Sequence, residues 1–98
     1  MINSFADQAS RDVFDGVASK AARKACPKNL WSIAQRKLDQ LNQAHELHDL
    51  RAPLGNRLEK LKGDLRKVHS IRINDQYRVC FCWTAQGPSD VKVVDYHG

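Results

Sequence analysis

The chain has few of the features that mark secreted or membrane proteins. No apolar run approaches the roughly 20 residues that a membrane-spanning helix needs, and no cationic-then-apolar signal pattern opens the sequence. Its three cysteines, Cys26, Cys80 and Cys82, are odd in number and lack the spacing of a disulfide framework, which suits a reducing compartment. We therefore expect a cytoplasmic protein with no membrane partner.

The histidines and cysteines are also too sparse to suggest a metal site. Cys80 and Cys82 lie two residues apart, and His45 and His48 lie three apart. Zinc sites usually take four ligands, and nothing in the pattern brings the two pairs together. We expect these side chains to pack rather than to bind metal, and we expect no cofactor.

Length and charge favour a single domain with an anionic partner. The 98 residues are enough for one core, and no repeat, low-complexity segment or internal boundary divides residues 1–98. The net charge of +5 is unevenly distributed. Residues 1–50 carry seven Lys/Arg against six Asp/Glu and contribute +1, whereas residues 51–98 carry nine against five and contribute +4. Because no basic amphipathic helix accompanies this asymmetry, it indicates nucleic acid rather than a membrane surface.

The first half of the chain has the spacing of helices. Residues 2–5 predict a short strand, and residues 7–15 predict a helix that Gly16 ends. Residues 17–26 are small and basic without a strong period, which leaves open whether they are ordered or mobile. A second helix begins near Pro27, and its core stripe of apolar residues comprises Leu30, Ile33, Ala34, Leu38 and Leu41.

The second half alternates apolar and polar residues, as half-buried strands do. Two turns between these strands remain possible. A two-residue turn at 74–75 would place Arg72 opposite Tyr77, whereas a three-residue turn at 74–76 pairs Ile73 with Tyr77 and Arg72 with Arg78. We favour the second turn because it collects all the large apolar side chains on one face. Two facing guanidinium groups repel, which suggests that an anion such as a phosphate bridges them.

These patterns together predict an α+β fold in which two N-terminal helices pack on one face of a small, twisted, mainly antiparallel sheet. We expect the other face to be exposed and to carry the chemistry. RNA can be cut without metal when its 2′-hydroxyl attacks the adjacent phosphorus, a reaction that needs a proton acceptor, a proton donor and fixed cations. Side chains suited to these roles are Lys62, Arg66, Arg72, Arg78, Asp95, Tyr96 and His97.

Three segments resemble a known family. Leu-Glu-Lys-Leu-Lys-Gly-Asp (58–64), His-Ser-Ile-Arg-Ile-Asn-Asp-Gln-Tyr-Arg-Val-Cys-Phe (69–81) and Val-Asp-Tyr-His (94–97) are similar to the HigB-type toxins of the RelE superfamily, especially the GraT-like subgroup. The resemblance covers nearly the whole chain and implies a RelE-like fold. It also implies a metal-independent endoribonuclease that cuts messenger RNA on the ribosome, held in check by a helix-turn-helix, HigA-like antitoxin that alone contacts operator DNA.

The same resemblance implies which residues act. The family's functional positions fall on Lys62, Arg78, Asp95, Tyr96 and His97. Several members have a histidine where this chain has Glu59, a departure that the GraT-like subgroup shares. A glutamate accepts a proton but does not supply a cationic acid at neutral pH, so we count Glu59 as catalytic and expect a weaker or altered toxin. Further basic residues that we expect to contact RNA are Arg57, Lys60, Arg66, Lys67 and Arg72.

Other interpretations of these residues remain open. A ParE-like toxin would share the architecture but bind DNA gyrase without chemistry, which the acid–base set at 95–97 disfavours. A small basic RNA- or ribosome-binding module is a third possibility. Asp95 could form a structural ion pair with Arg78, Tyr96 could pack at the core edge, and His69 is expected to be a packing residue.

Overall fold

Three α-helices precede a four-stranded sheet in the computed structural model, which describes residues 1–61 and 67–96. The strands follow chain order across the sheet, and each neighbouring pair is antiparallel. The predicted α+β class is therefore confirmed. The helices are α1 (Gln8–Asp15), α2 (Lys20–Ala25) and α3 (Trp31–Gln43), and the strands are β1 (Glu59–Lys60), β2 (Val68–Arg72), β3 (Tyr77–Thr84) and β4 (Gly87–Asp95).

Helix α1 begins and ends where its capping residues predict. The Asp7 carboxylate accepts a hydrogen bond from the backbone N–H of Ser10, and Gly16 adopts the left-handed conformation at φ 76°, as N-terminal and C-terminal caps commonly do. The helix is joined to the sheet by a buried hydrogen bond of 2.9 Å from the backbone N–H of Val93 to Ser10 Oγ. That bond fixes α1 against β4.

The order of residues 17–26, which the sequence left open, is decided by the structure, because they contain α2. Ser19 caps this helix by accepting a hydrogen bond from the N–H of Ala22, and its hydroxyl donates to Asp12 Oδ2 at 2.8 Å. Ala22 is fully buried. A helix of six residues is too short to display a hydrophobic period, so the sequence predicted one α-helix too few.

Helix α3 has the predicted buried stripe. Ala34, Leu38 and Leu41 are fully buried, and Trp31 donates from Nε1 to the carbonyl oxygen of Cys26 at 2.8 Å. Burial raises the pKa of the Cys26 thiol to about 11, so this cysteine stays protonated and packs as a small apolar residue. Single 3₁₀ turns precede and follow the helix at Lys28–Leu30, Leu47–Arg51 and Leu54–Asn56.

The sheet confirms the three-residue turn. Arg72 pairs with Arg78, and the N–H of Ile73 donates to the carbonyl oxygen of Tyr77 at 2.9 Å. This register gathers the apolar side chains on the face that the helices cover, where the buried strand residues are Ile71, Ile73, Tyr77, Val79, Phe81, Val91 and Val93.

The predicted strand at residues 2–5 is present only as one parallel bridge between Phe5 and Val91. Hydrogen bonds from the N–H of Asn3 to the carbonyl of Pro88 and from the N–H of Val91 to the carbonyl of Ser4 hold this segment beside β4. Within residues 1–61 and 67–96, no helix is long and apolar enough to cross a membrane.

Candidate active site

Arg78 lies on the sheet face opposite the helices, but it is buried, with 8% of its surface exposed. The expectation that this face leaves the arginine exposed is therefore wrong. Its Nε donates to Ser70 Oγ at 2.8 Å, and its Nη2 donates to the carbonyl oxygen of Arg57 at 2.7 Å. A loop that precedes β1 folds over the guanidinium, which strand alternation alone does not reveal.

That loop contains the 3₁₀ turn Leu54–Asn56, and a buried amide holds it. Asn56 is fully buried, and its Nδ2 lies 3.1 Å from Gln40 Oε1 and 3.2 Å from the carbonyl oxygen of Leu50. Arg57 follows in the left-handed region at φ 45°, a conformation that costs a non-glycine residue free energy. The turn directs the Arg57 carbonyl toward Arg78.

A cleft of about 210 Å³ opens beside Arg78. Three of its lining residues are cationic, two are acidic and one is aromatic, so charged groups of both signs face the same space. With Asn74 at the hairpin turn, the lining residues are Arg57, Glu59, Arg72, Asp75, Arg78 and Tyr96. Four of the predicted site and RNA-contact positions, in addition to Arg78, therefore meet here.

The two facing arginines each have a carboxylate neighbour. Arg72 forms an ion pair with Asp75 in the turn, and Glu59 Oε2 lies 3.9 Å from Nη2 of Arg78. These carboxylates relieve the repulsion that the sequence led us to assign to a bridging anion. Because Asp75 is almost fully exposed, at 97% of its side-chain surface, water weakens its hold on Arg72.

The side chains of Asp95, the last residue of β4, and of the following Tyr96 lie on different sides of the sheet. The Cζ atom of Arg78 lies 5.8 Å from the centre of the Tyr96 ring, within range of a cation–π contact. Asp95 is instead paired across the strands with Tyr77 and accepts a hydrogen bond from Gln76 Nε2 at 3.1 Å. Desolvation and, secondarily, the Asp95 carboxylate raise the pKa of Tyr77. Asp95 is therefore not among the residues that line the cleft.

Lys60 lies apart from the cleft as well. It is paired with His69 across β1 and β2, and both line a second groove with Leu47, His48, Arg51 and Leu58. The His69 ring stacks at 6.1 Å from that of Phe81, and its buried Nδ1 has no hydrogen-bond partner among the described residues. The packing role expected for His69 agrees with this stacking.

Lys67 lies in an exposed turn before β2. Lys62, Arg66 and His97 fall outside the described residues.

Cys80 and Cys82 flank a bulge in β3, opposite Lys92 and Ser89 respectively. Burial raises the pKa of the Cys80 thiol. Within the described part of the chain, no three His, Cys, Asp or Glu side chains lie close enough together to share a metal ion.

Sequence reasoning missed two residues that shape the cleft, Ser70 and Asn56. Ser70 was discoverable, because the favoured register puts it on the same face as Arg78. Asn56 gave no local signal, since its partners come from α3 and from the preceding loop.

Comparison with known proteins gives a family and two relatives that this chain resembles. The model of a family described as RelE-like toxin of type II toxin–antitoxin system HigB matches residues 3–97. A Vibrio cholerae serotype O1 protein named Toxin HigB-1 is 46% identical over 57 residues, which are 58% of this chain and 60% of that protein. An uncharacterized Haemophilus influenzae protein is 42% identical over 55 residues, 56% of this chain and 54% of the relative. The matches thus span little more than half the length of each relative.

Proposed function

This chain belongs to the RelE-like HigB toxins of type II toxin–antitoxin systems, and we propose that it acts by cutting messenger RNA on the translating ribosome. The observation that carries the proposal is the fixed guanidinium of Arg78, which faces Arg72 across the strands and lines a cleft with Glu59. Nε and Nη2 of Arg78 are engaged by Ser70 and Arg57, and Nη1 has no acceptor among the described residues. Nη1 is therefore the amino group left for a phosphate oxygen.

In the proposed reaction, the 2′-oxygen of the RNA bonds to the adjacent phosphorus as the bond from phosphorus to the 5′-oxygen breaks. The proton of the 2′-hydroxyl passes to a base and another proton passes to the departing 5′-oxygen, leaving a 2′,3′-cyclic phosphate and a 5′-hydroxyl. Negative charge gathers on the phosphate oxygens, and preorganised cations stabilise it. Arg78 and Arg72 are placed to supply those cations.

Glu59 is the carboxylate nearest Arg78 in the cleft, so we assign it the 2′ proton. His97 is assigned the proton for the 5′-oxygen and Lys62 a further cation, both from the family resemblance alone. Tyr96, with 39% of its surface exposed, provides an aromatic face on which an unstacked base can rest. Asp95 supports this end of β4 through Gln76.

The partners follow from the same proposal. We expect a helix-turn-helix antitoxin of the HigA kind, which alone contacts operator DNA, and we expect the ribosome and its messenger RNA in the cytoplasm. The exposed cations of the second half, Arg57, Lys60 and Lys67 among them, supply the salt-sensitive attraction to RNA.

The test is a ribosome assay with purified protein, a defined messenger RNA and primer extension. We expect cuts within codons only when ribosomes translate the RNA, 2′,3′-cyclic or 3′-phosphate ends, and no divalent ion bound by the purified toxin itself. Products with 3′-hydroxyl ends would point to metal-activated water and contradict the proposed mechanism. Gyrase-dependent DNA breaks would favour the ParE-like alternative, and binding without products would favour a non-catalytic module.

A further inference from the structure

Hydrogen bonds and one peptide bond connect the core helix α3 to Arg78. Asn56 accepts a hydrogen bond from Lys37 Nζ and donates to Gln40 Oε1, and both of these partners lie on α3. The next residue, Arg57, presents its carbonyl oxygen to Nη2 of Arg78. Asn56 is therefore one residue away from the group that holds the arginine.

The hydrogen bonds of Asn56 use both ends of its amide. Besides Gln40, Nδ2 lies 3.2 Å from the carbonyl oxygen of Leu50 and 3.3 Å from that of Ala52, while Oδ1 accepts from Lys37. An aspartate would place a second acceptor against two carbonyl groups, and a leucine would satisfy none of these groups. Asparagine supplies a donor and an acceptor at the same buried point.

The backbone after Asn56 needs such support. Arg57 has φ 45°, where a residue with a Cβ is disfavoured, and the loop on its N-terminal side is exposed from Arg51 to Gly55. Bonds from the N–H groups of Asn56 and Arg57 to the carbonyls of Pro53 and Leu54 close the turn itself, and a buried anchor holds that turn against the domain. The fully buried Asn56 is that anchor.

We propose that Asn56 is a positioning residue, which holds the Arg57 carbonyl in place and thereby fixes the guanidinium of Arg78 toward the phosphate. The catalytic part of this inference rests on the proposed function, but the positioning itself does not. Lys37 shares in the arrangement, because its ammonium is partly desolvated and burial lowers its pKa. A polar acceptor such as Asn56 Oδ1 compensates for that burial.

The experiment compares Asn56→Ala with wild type and with Asn42→Ala as a matched control. Asn42 also lies on α3, and its Oδ1 accepts a hydrogen bond from the N–H of Ile2 at 2.8 Å, at a place with no described contact to Arg78. The first readout is the rate at which the Arg78 Nη2 protons, which bond to the Arg57 carbonyl, exchange with solvent, followed by NMR in the folded protein. The second is kcat against KM in the ribosome assay.

We expect Asn56→Ala to speed exchange of the Arg78 Nη2 protons by about tenfold, the equivalent of one lost hydrogen bond, while Asn42→Ala leaves it unchanged. We expect kcat to fall on the order of 10²-fold, as it does when a reacting group is misplaced by about 1 Å. KM should change less, because Arg72 and the exposed cations still attract RNA.

A second variant covers the case in which Asn56→Ala does not fold. Lys37→Met removes the ammonium and with it the hydrogen bond to Asn56 Oδ1, and is expected to change exchange and kcat in the same direction by a smaller factor. A folded Asn56→Ala, or failing that Lys37→Met, whose Arg78 Nη2 protons exchange as in wild type would overturn the inference. If wild type cuts no RNA, the proposed function fails, and the exchange comparison still decides whether Asn56 positions Arg78.

Discussion

Arg72 and Arg78 are directly opposed across β2 and β3, yet each lies beside a different carboxylate, Asp75 for Arg72 and Glu59 for Arg78. Both carboxylates are substantially exposed, so they offset the repulsion without excluding an incoming anion. The guanidinium groups of both arginines therefore line the same cleft. The geometry accounts for a pair of like charges that would otherwise destabilise the hairpin.

Arg78→Ala is expected to reduce cleavage on the order of 10²–10³-fold, the usual loss of one charge-stabilising group. Because Arg78 is buried and bonded to Ser70 and Arg57, we also expect a loss of about 1–3 kcal/mol in the free energy of unfolding. Urea titration and the ribosome assay measure the two effects. Lys92→Ala, which removes an exposed charge from the same face, is the control; it should leave the free energy of unfolding unchanged and lower cleavage far less than Arg78→Ala does. A folded Arg78→Ala with full activity contradicts the phosphate role.

Glu59→Gln is expected to lower cleavage by about 10²–10⁴-fold if this carboxylate takes the 2′ proton. Its effect on stability should be small, within about 1 kcal/mol, because the contact with Arg78 is long and half-exposed. Single-turnover rates on ribosomes provide the measurement. Asp75→Asn removes a carboxylate from the same cleft and should retain most activity, whereas Glu59→His, which restores the residue of several family members, should raise it. Equal rates for Glu59→Gln and wild type would place the base elsewhere.

Ser10→Ala tests the bond between α1 and β4. The variant leaves the buried N–H of Val93 without its acceptor, so we expect the free energy of unfolding to fall by about 1–3 kcal/mol. Thermal unfolding of Ser10→Ala and of Ser32→Ala, an exposed serine on α3, gives the comparison. A loss no larger than that of Ser32→Ala would show that another group satisfies Val93.

Stability is expected to fall as the pH drops below about 6.5, because of His69. Desolvation, aided by the nearby Lys60 ammonium, lowers the pKa of this imidazole from its ordinary value of 6.5. Between about pH 6.5 and the folded-state pKa, the unfolded chain therefore binds a proton that the folded chain does not bind. The free energy of unfolding decreases over that range as the pH falls.

His69→Phe should flatten this part of the profile, measured by urea titration between about pH 7.5 and 5. The carboxyls of Asp12 and Asp49, whose pKa values hydrogen bonds lower from 3.8, lose their contribution only at more acidic pH. Identical slopes for the variant and wild type would contradict the role of His69.

Much of the sheet could be predicted from the sequence, because the pairing of adjacent strands follows local rules. Side chains alternate with a period of two along a strand, and the length of the turn sets which residues face each other. These two rules predicted the pairing of Arg72 with Arg78 and the apolar face of β3. The stripe on α3 was predicted equally well, since thirteen residues are enough to display a helical period. Helix α2 was missed because six residues are not.

The burial of Arg78 was decided only by tertiary structure. Alternation assigned it to the face opposite the core, and that assignment holds, but the loop ending at Arg57 covers it because Asn56 is anchored to Gln40, 16 positions earlier in the chain. No local pattern encodes a contact of that separation. The sequence by itself determined which residue types alternate, where chain direction changes and which charges lie in the second half. The folded chain decided which of those charges meet, because a hydrogen bond between distant residues depends on the packing of the whole domain.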